Sequence, residues 1–274
     1  CLHLIAKEQA ERAAAQSEPE ILQSDLSGLL MELLQWGCSD PAQMSWLDQP
    51  PAVNLLAAKR LLKMLGALDG ERLSAQGQKM AALGNDPRLA AMLVSAKSDD
   101  EAATAAKIAA ILEEPPRMGN SDLGVAFSRN QPAWQQRSQQ LLKRLNVRGG
   151  EADSSLIAPL LAGAFADRIA HRRGQDGRYQ LANGMGAMLD ANDALSRHEW
   201  LIAPLLLQGS ASPDARILLA LPVDIDELVQ RCPQLVQQSD TVEWDDAQGT
   251  LKAWRRLQIG QLTVKVQPLA KPSE

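Results

Sequence analysis

The feature that most constrains the fold is a change in hydrophobic spacing past the middle of the chain. Up to about residue 165, apolar residues recur at the three- and four-residue spacing of helices, as in "SDLSGLLMELLQWG" (24–37). After Phe165 the spacing moves towards two, the period of strands, as in "QLTVKVQP" (261–268). The sequence therefore predicts an α+β chain in which helices come first and a small barrel or open sheet follows.

Turn and capping residues divide the helical part into segments. Ser24 is predicted to cap the first helix and Gly37 to end it. Gly66 ends the next helix, and the residues on either side of "DGE" (69–71) predict a short hairpin, after which Ser74 caps another helix. Two helices followed by a small hairpin are typical of a winged helix.

Composition narrows the class of protein. The chain has 274 residues, of which 45% are hydrophobic and 22% charged, as is usual for a globular protein. A net charge of −5 is unusual for a free-standing nucleic-acid binder, so a site for a polyanion has to be a local basic patch. We expect no membrane span and no signal peptide, and three cysteines without CxxC spacing favour the reducing cytoplasm. A first residue other than methionine suggests a piece of a longer chain.

The sequence lacks the motifs of the common catalytic sites. It has no Gly-Lys dipeptide and so no P-loop, no HExxH pair, no His/Cys cluster for zinc and no GxSxG elbow. "DEAA" (100–103) is similar to the magnesium-binding acidic box of ATPases, but it follows Ser98 and opens an alanine-rich helix, where acidic residues complement the helix dipole. We therefore expect no catalytic residue, metal ligand or cofactor in these residues.

The candidate binding site is a basic hairpin within "DRIAHRRGQDGRYQLANGMGAML" (167–189). Arg172 and Arg173 border its "GQDG" turn, so we predict that they contact phosphates, with Tyr179, the one tyrosine of the chain, as a base-stacking partner. Arg168 and Arg178 complete the patch and are predicted to pair with Asp167 or Asp176. The alternative is a solvated turn with the tyrosine in the core of a barrel.

A second basic patch lies near the end of the chain. It contains Lys252, Arg255, Arg256 and Lys265. These residues follow an acidic stretch formed by Asp240, Glu243, Asp245 and Asp246. In a hairpin around Gly249, cross-strand ion pairs would use up much of the basic charge, and Trp254 is expected in the core.

Several segments, taken in order over about residues 1–115, resemble DEAH-box helicases. "CLHL" (1–4) is similar to the segment that follows the arginine-finger motif of that family, and the stretch 17–41 is similar to the entrance of its winged helix. Three later segments match further signatures of the family: "WLDQPP" (46–51), "AAKRLLKMLGALDGERLSAQGQKMAAL" (57–83) and "DPRLAAML" (86–93). The β-rich part is most similar to one bacterial branch of the family.

The resemblance implies a division into four parts. Residues 1–20 would connect to a missing motor, 21–76 form a winged-helix-like domain, 77–166 a helical ratchet-like domain and 167–274 an OB-like β domain. The parent would be an ATP-dependent RNA helicase that uses ATP and Mg²⁺, and this piece, which stops before the parent's end, would be catalytically inactive. It would guide single-stranded RNA or DNA and contact its own upstream RecA-like domains.

Two further functions stay open on the sequence. An acidic surface and no enzyme motif are compatible with a protein-interaction scaffold that does not bind nucleic acid. A winged helix is also compatible with a DNA-binding regulator, although its second helix offers only Lys59, Arg60 and Lys63 to a groove. Oligomeric state is left open by the sequence.

Overall fold

A computed structural model describes residues 6, 8, 19–38, 40–84, 86–116, 121–175, 177–208, 212–245 and 250–269 of the chain. The segment "CLHL" (1–4) and most of the predicted connecting segment 1–20 lie outside these residues. The fold is α+β, as the sequence predicts, and the chain divides into two compact units, residues 1–87 and 88–274.

From residue 19 onwards, the described part of the first unit contains three helices and a hairpin. These are α1 (Ser27–Gln35), α2 (Ala52–Met64), β1 (Leu68–Asp69), β2 (Arg72–Leu73) and α3 (Ala75–Leu83), with short 3₁₀ turns at Glu20–Leu22 and Pro41–Gln43. Gly37 and Gly66 end the first two helices with positive φ angles of 89° and 69°, as predicted. Ser74 caps α3, since its hydroxyl accepts a hydrogen bond from the Gly77 amide.

Ser24 does not cap the first helix, which corrects the prediction. The amide of Ser24 donates to the carbonyl of Glu20 (2.9 Å), so this residue closes the preceding 3₁₀ turn. The helix begins at Ser27, whose amide donates to the carboxylate of Asp25 (2.8 Å). A local 3₁₀ turn, which has no clear signature in the hydrophobic pattern, moved the cap of the helix by two residues, from Ser24 to Leu26.

The helices of the second unit pack around one alanine-rich helix. They are α4 (Pro87–Val94), which begins at the border between the units, α5 (Asp99–Glu113), α6 (Leu123–Ser128), α7 (Pro132–Arg144) and α8 (Ile157–Ala164). Ser98 caps α5 by accepting from the Glu101 amide, so "DEAA" lies in the first turns of a helix, as predicted. Most of α5 is buried, because small side chains let α7 and α8 approach closely. None of the described helices has the length and apolar character that a membrane crossing requires.

The short helix α6 was missed by the sequence analysis. It has six residues, fewer than two turns, so no hydrophobic period can develop along it. Its start is fixed by Asp122, whose carboxylate accepts hydrogen bonds from the amides of Gly124 (2.7 Å) and Val125 (3.4 Å). Asp122 is therefore a capping residue of the second unit.

Five strands close into a barrel, so of the two predicted forms of the β-rich part the barrel is confirmed. The strands are β3 (Ile169–Arg172), β4 (Arg178–Leu181), β5 (Gly186–Met188), β6 (Trp200–Leu207) and β7 (Ala215–Pro222), and helix α9 (Ile225–Arg231) follows them. Their order around the barrel is β3-β4-β5-β7-β6, with a parallel pair at β5–β7 and antiparallel pairs elsewhere. Closure pairs the strand edges that an open sheet would expose.

The end of the described chain forms a separate three-stranded sheet. It consists of β8 (Gln237–Asp245), β9 (Thr250–Ile259) and β10 (Leu262–Leu269), with β9 in the centre and both pairs antiparallel. The predicted pairing of β8 with β9 is confirmed, while the turn residue Gly249 lies outside the described residues.

A buried ion pair joins the helices of the second unit to the barrel. Arg88 of α4 makes two parallel bonds to Asp167, just before β3, with Nη1–Oδ1 and Nη2–Oδ2 distances of 2.7 and 2.8 Å. Its Nη1 also donates to the carbonyl of Ala164 (2.9 Å) at the end of α8. The guanidinium lies 5.3 Å from the ring centroid of Phe165, so one side chain connects two helices with the start of the barrel.

Replacing Arg88 by methionine should lower the free energy of unfolding by about 3 kcal/mol, because it leaves Asp167 without its buried partner. Urea unfolding followed by circular dichroism measures the change. Arg137→Met is the matched control, since the pair of Arg137 with Glu113 is more exposed and should contribute less than about 1 kcal/mol. Equal losses in the two variants would contradict the special role of Arg88.

Candidate nucleic-acid interface

The predicted basic hairpin is formed by β3, β4 and the turn between them. Gly174 and Gly177 have positive φ angles of 65° and 80°, a conformation that residues with a Cβ rarely adopt. The amide of Arg173 donates to the carbonyl of Arg178 (2.9 Å) and closes the hairpin. Asp176, a predicted partner of the arginines, lies outside the described residues.

Arg172 and Arg173 lie on opposite faces of the barrel wall. Consecutive residues of a strand alternate between faces, and Arg172 pairs in register with Tyr179, whose ring fills the barrel. The Nη1 of Arg172 donates to the carbonyl of Arg197 (3.0 Å), in the segment before β6. The two residues predicted to act together therefore do not share a surface.

The outer face instead brings together Arg173, Arg178 and Asp214, here called the outer cluster. The Nη2 of Arg173 lies 3.2 Å from Oδ1 of Asp214, and the Nη1 of Arg178 lies 2.9 Å from its Oδ2. The carboxylate is 11% exposed, whereas the arginine side chains are 48% and 52% exposed. Two guanidinium groups thus share one carboxylate, and the cluster has a charge of about +1.

Arg178 makes its described ion pair with Asp214 and not with Asp167, while its other predicted partner, Asp176, lies outside the described residues. Asp214 lies just before β7, and the parallel pairing of β5 with β7 brings it to the hairpin. Gly186 makes room for it, because a Cβ at this position would lie 1.8 Å from Oδ1 of Asp214. Gly186, the second glycine of "GMG" (184–186), was the one signal in the sequence that another residue comes close to β5 here. It does not identify that residue.

Among the described ion pairs, Asp167 is joined to Arg88 and not to Arg168. The Nη1 of Arg168 donates to the carbonyl of Pro204 in β6 (2.6 Å). Its guanidinium also lies 5.7 Å from the ring centroid of Phe165. These contacts hold Arg168 against the barrel wall.

Tyr179 is a core residue of the barrel, which corrects its predicted role as a base-stacking partner. Its side chain is fully buried among the apolar residues of the barrel. Its hydroxyl lies 2.9 Å from the carbonyl oxygens of Leu195 and His198 and 3.2 Å from that of Ser196. Because both faces of the ring are enclosed, neither face is open to a base. The alternative interpretation, a tyrosine in the barrel core, is therefore correct.

A stacked ring pair on the same surface was missed by the sequence analysis. His171 of β3 and Trp200 of β6 are register partners, and their ring centroids lie 4.1 Å apart with an interplanar angle of 24°. Nε2 of His171 lies 3.5 Å from a carboxylate oxygen of Glu199. The sequence carries no local sign of this ring pair, because the pairing of strands β3 and β6 cannot be read from local sequence.

The second basic patch lies on the separate sheet, where the predicted cross-strand ion pairing is seen at Arg255. Arg255 makes two bonds to Asp240, its register partner, at 2.9 and 3.0 Å, and these hydrogen bonds raise the pKa of its guanidinium above the ordinary value. Lys252 lies opposite Glu243, and Arg256 opposite Ser239. Trp254 is half-buried, and Lys265 is exposed on β10.

The described residues offer no group of three or more His, Cys, Asp and Glu side chains that could hold a metal ion. The geometry of the barrel surface is that of an exposed cationic patch beside an aromatic pair. Such a surface can bind anions by charge and hydrogen bonding.

Comparison with known proteins defines the class of the chain. The family model "ATP-dependent RNA helicase HrpB, connector region" matches residues 235–269. The chain is 98% identical over 273 residues to ATP-dependent RNA helicase HrpB of Escherichia coli, a match that covers 100% of the chain and 34% of the relative. It is also 34% identical over 82 residues to the probable ATP-dependent RNA helicase DHR2 of Saccharomyces cerevisiae, which covers 30% of the chain and 11% of that protein.

Solved structures agree with these sequence matches. A crystal structure of E. coli HrpB has a TM-score of 0.89 and 98% identity, over 99% of this chain and 34% of the solved chain. A second crystal structure of E. coli HrpB has a TM-score of 0.87 and 92% identity over the same shares. The chain therefore belongs to the DEAH-box helicases of the HrpB type, and it spans about a third of the length of the relatives it matches over its whole extent.

Tyr179→Phe should lower the free energy of unfolding by about 1–2 kcal/mol, because it removes a buried hydroxyl from three carbonyl oxygens while the ring still fills the barrel. Urea unfolding of the two proteins under identical conditions gives the difference. An unchanged midpoint would show that these hydrogen bonds do not stabilise the barrel.

Proposed function

We propose that this chain binds single-stranded nucleic acid, RNA in the first instance, and couples it to the RecA-like ATPase motor of a parent HrpB-type helicase. The observation that carries the proposal is the outer cluster, in which two half-exposed arginines share one carboxylate in an otherwise acidic chain. Guanidinium groups bind phosphate oxygens through paired hydrogen bonds, and both groups here keep much of their surface open to an incoming strand.

The predicted domain types are part of the same proposal. The helix–helix–hairpin–helix order of the first unit supports a winged-helix-like domain at 21–76, and the helices around α5 support a ratchet-like domain at 77–166. The closed five-stranded barrel supports an OB-like domain within 167–274, since such barrels bind single strands through their faces and loops.

Contact with the motor is supported by apolar side chains on the first unit. Trp36, Leu47, Val53 and Leu56 are all exposed there. Val53 and Leu56 are three residues apart on α2 and so lie on one face of that helix, and neighbouring exposed apolar side chains mark interaction surfaces. ATP and Mg²⁺ would bind to the motor of the parent, and this chain alone would not hydrolyse ATP. A cytoplasmic location suits Cys38 and Cys232, which are free thiols.

A protein-interaction scaffold is the second candidate, and the exposed apolar residues together with the net charge of −5 favour it. A DNA-binding regulator receives less support from the structure. Of the three cations on α2, Lys59 forms an ion pair with Glu71, which leaves Arg60 and Lys63 as the exposed cations that the helix offers to a DNA groove.

The test is a salt titration of a labelled single-stranded RNA bound to the 274-residue chain, between about 50 and 200 mM salt. Arg173→Ala/Arg178→Ala should weaken binding about tenfold and reduce the slope of log affinity against log salt by about 1.4, the value for two lost phosphate contacts on a single strand. Arg172→Ala should have a smaller effect, because its guanidinium is engaged with the carbonyl of Arg197.

Two controls separate the candidates. Arg137→Ala removes a paired arginine from the helices and should leave the titration unchanged, and Arg255→Ala tests the second patch in the same way. Wild-type protein that binds no RNA at any salt concentration would support the scaffold, and preference for duplex DNA would support the regulator.

Coupling to the motor can be tested in a full-length parent. Trp36→Ser/Val53→Ser should lower RNA-stimulated ATP hydrolysis several-fold, because both side chains are exposed in the isolated unit and would lose an apolar contact with the motor. RNA binding by the 274-residue chain carrying the same changes serves as the control and should not change. Full stimulation in the double variant would contradict a motor contact at these residues.

A further inference from the structure

We propose that His171, supported by Trp200, is the platform on which a base of the bound strand stacks. This inference rests on the proposed function and names the part of the ligand that the same surface recognises. The imidazole lies nearly parallel to the indole, at a centroid distance of 4.1 Å. Trp200 is 6% exposed, whereas 36% of the His171 side chain is exposed, so the histidine is the more accessible ring of the pair.

Strand alternation places this platform beside the outer cluster. Arg173 directly follows the last residue of β3 and keeps the hairpin pairing through its bond to Arg178, so it lies on the same face as His171, two residues before it. Across the hairpin, Gln180 is the register partner of His171, and Arg178 is two residues from it on β4. The ring and the two guanidinium groups therefore form one surface, with the spacing of about 7 Å that separates alternate residues of a strand.

A cationic group beside an aromatic ring suits a single strand, because phosphates along its backbone contact the cations while a base stacks on the ring. A phosphate held at Arg173 or Arg178 would leave its neighbouring base close to the imidazole. Stacking tolerates any base, because every base has a π face, which fits a helicase that moves along a strand without selecting its sequence.

The neighbours of His171 hold the ring in place. The buried indole lies under one face, and Glu199 lies 3.5 Å from Nε2 at the edge. A side chain fixed in this way loses little conformational freedom when a base stacks on it, and this lowers the entropic cost of binding. The buried Tyr179 cannot take this role. The aromatic group of the surface is instead the ring of His171, on the neighbouring strand β3.

The experiment compares two single-stranded ligands of about ten nucleotides, one of oligoadenylate and one an abasic ribose-phosphate chain of equal length and charge. The wild-type 274-residue chain should bind the oligoadenylate more tightly. His171→Ala should weaken binding of the oligoadenylate about five- to tenfold and leave binding of the abasic chain unchanged. Arg173→Ala/Arg178→Ala should weaken binding of both ligands.

Rescue variants separate stacking from charge and from misfolding. His171→Tyr should restore the preference for the oligoadenylate, because it restores a flat ring, and His171→Lys should not. His198→Ala, which removes another exposed imidazole before β6, should behave as wild type. Equal weakening of both ligands by His171→Ala, an unchanged preference in that variant, or rescue by lysine alone would overturn the inference. If the wild-type chain binds neither ligand, the proposed function fails, and this inference fails with it.

Discussion

The arrangement of the second unit depends on the ion pair between Arg88 and Asp167. Burial between two helices and a barrel removes water from the guanidinium of Arg88. The charge is therefore stabilised by the carboxylate and the carbonyl that accept its hydrogen bonds. Because Asp167 stands immediately before β3, the same bonds fix where the first barrel strand begins. The position of His171 and Arg173 on the outer face follows from that starting point.

Much of the fold could be predicted because its signals are local. The change of hydrophobic period separates helices from strands, glycines with positive φ end the helices where expected, and the hairpins follow from turn residues. The binding surface could be predicted only in part. The alternation of side chains along a strand already implies that Arg172 and Arg173 face opposite ways, but only the structure shows that the tyrosine paired with Arg172 points inward.

The remaining errors concern contacts between residues distant in sequence. Asp214 reaches Arg178 across 36 residues and Trp200 reaches His171 across a strand pair, and neither partner carries a local signal of its destination. The opposite case is Arg255, whose partner Asp240 lies across one hairpin, and there the predicted pairing is correct. Which arginines remain available to a ligand is therefore decided by topology, not by the density of arginines in the sequence.

The parallel contact between β5 and β7 is a weak part of the barrel, because few residues pair there. This seam consists of two register pairs, Ala187 with Ala215 and Met188 with Arg216, while β6 and β7 pair over a much longer stretch. Asp214 precedes β7 at the end of the seam. Its bonds to arginines of the β3–β4 hairpin pass over β5 and so connect the two sides of the seam. A ligand that draws those arginines away would therefore remove two bonds that support this short seam.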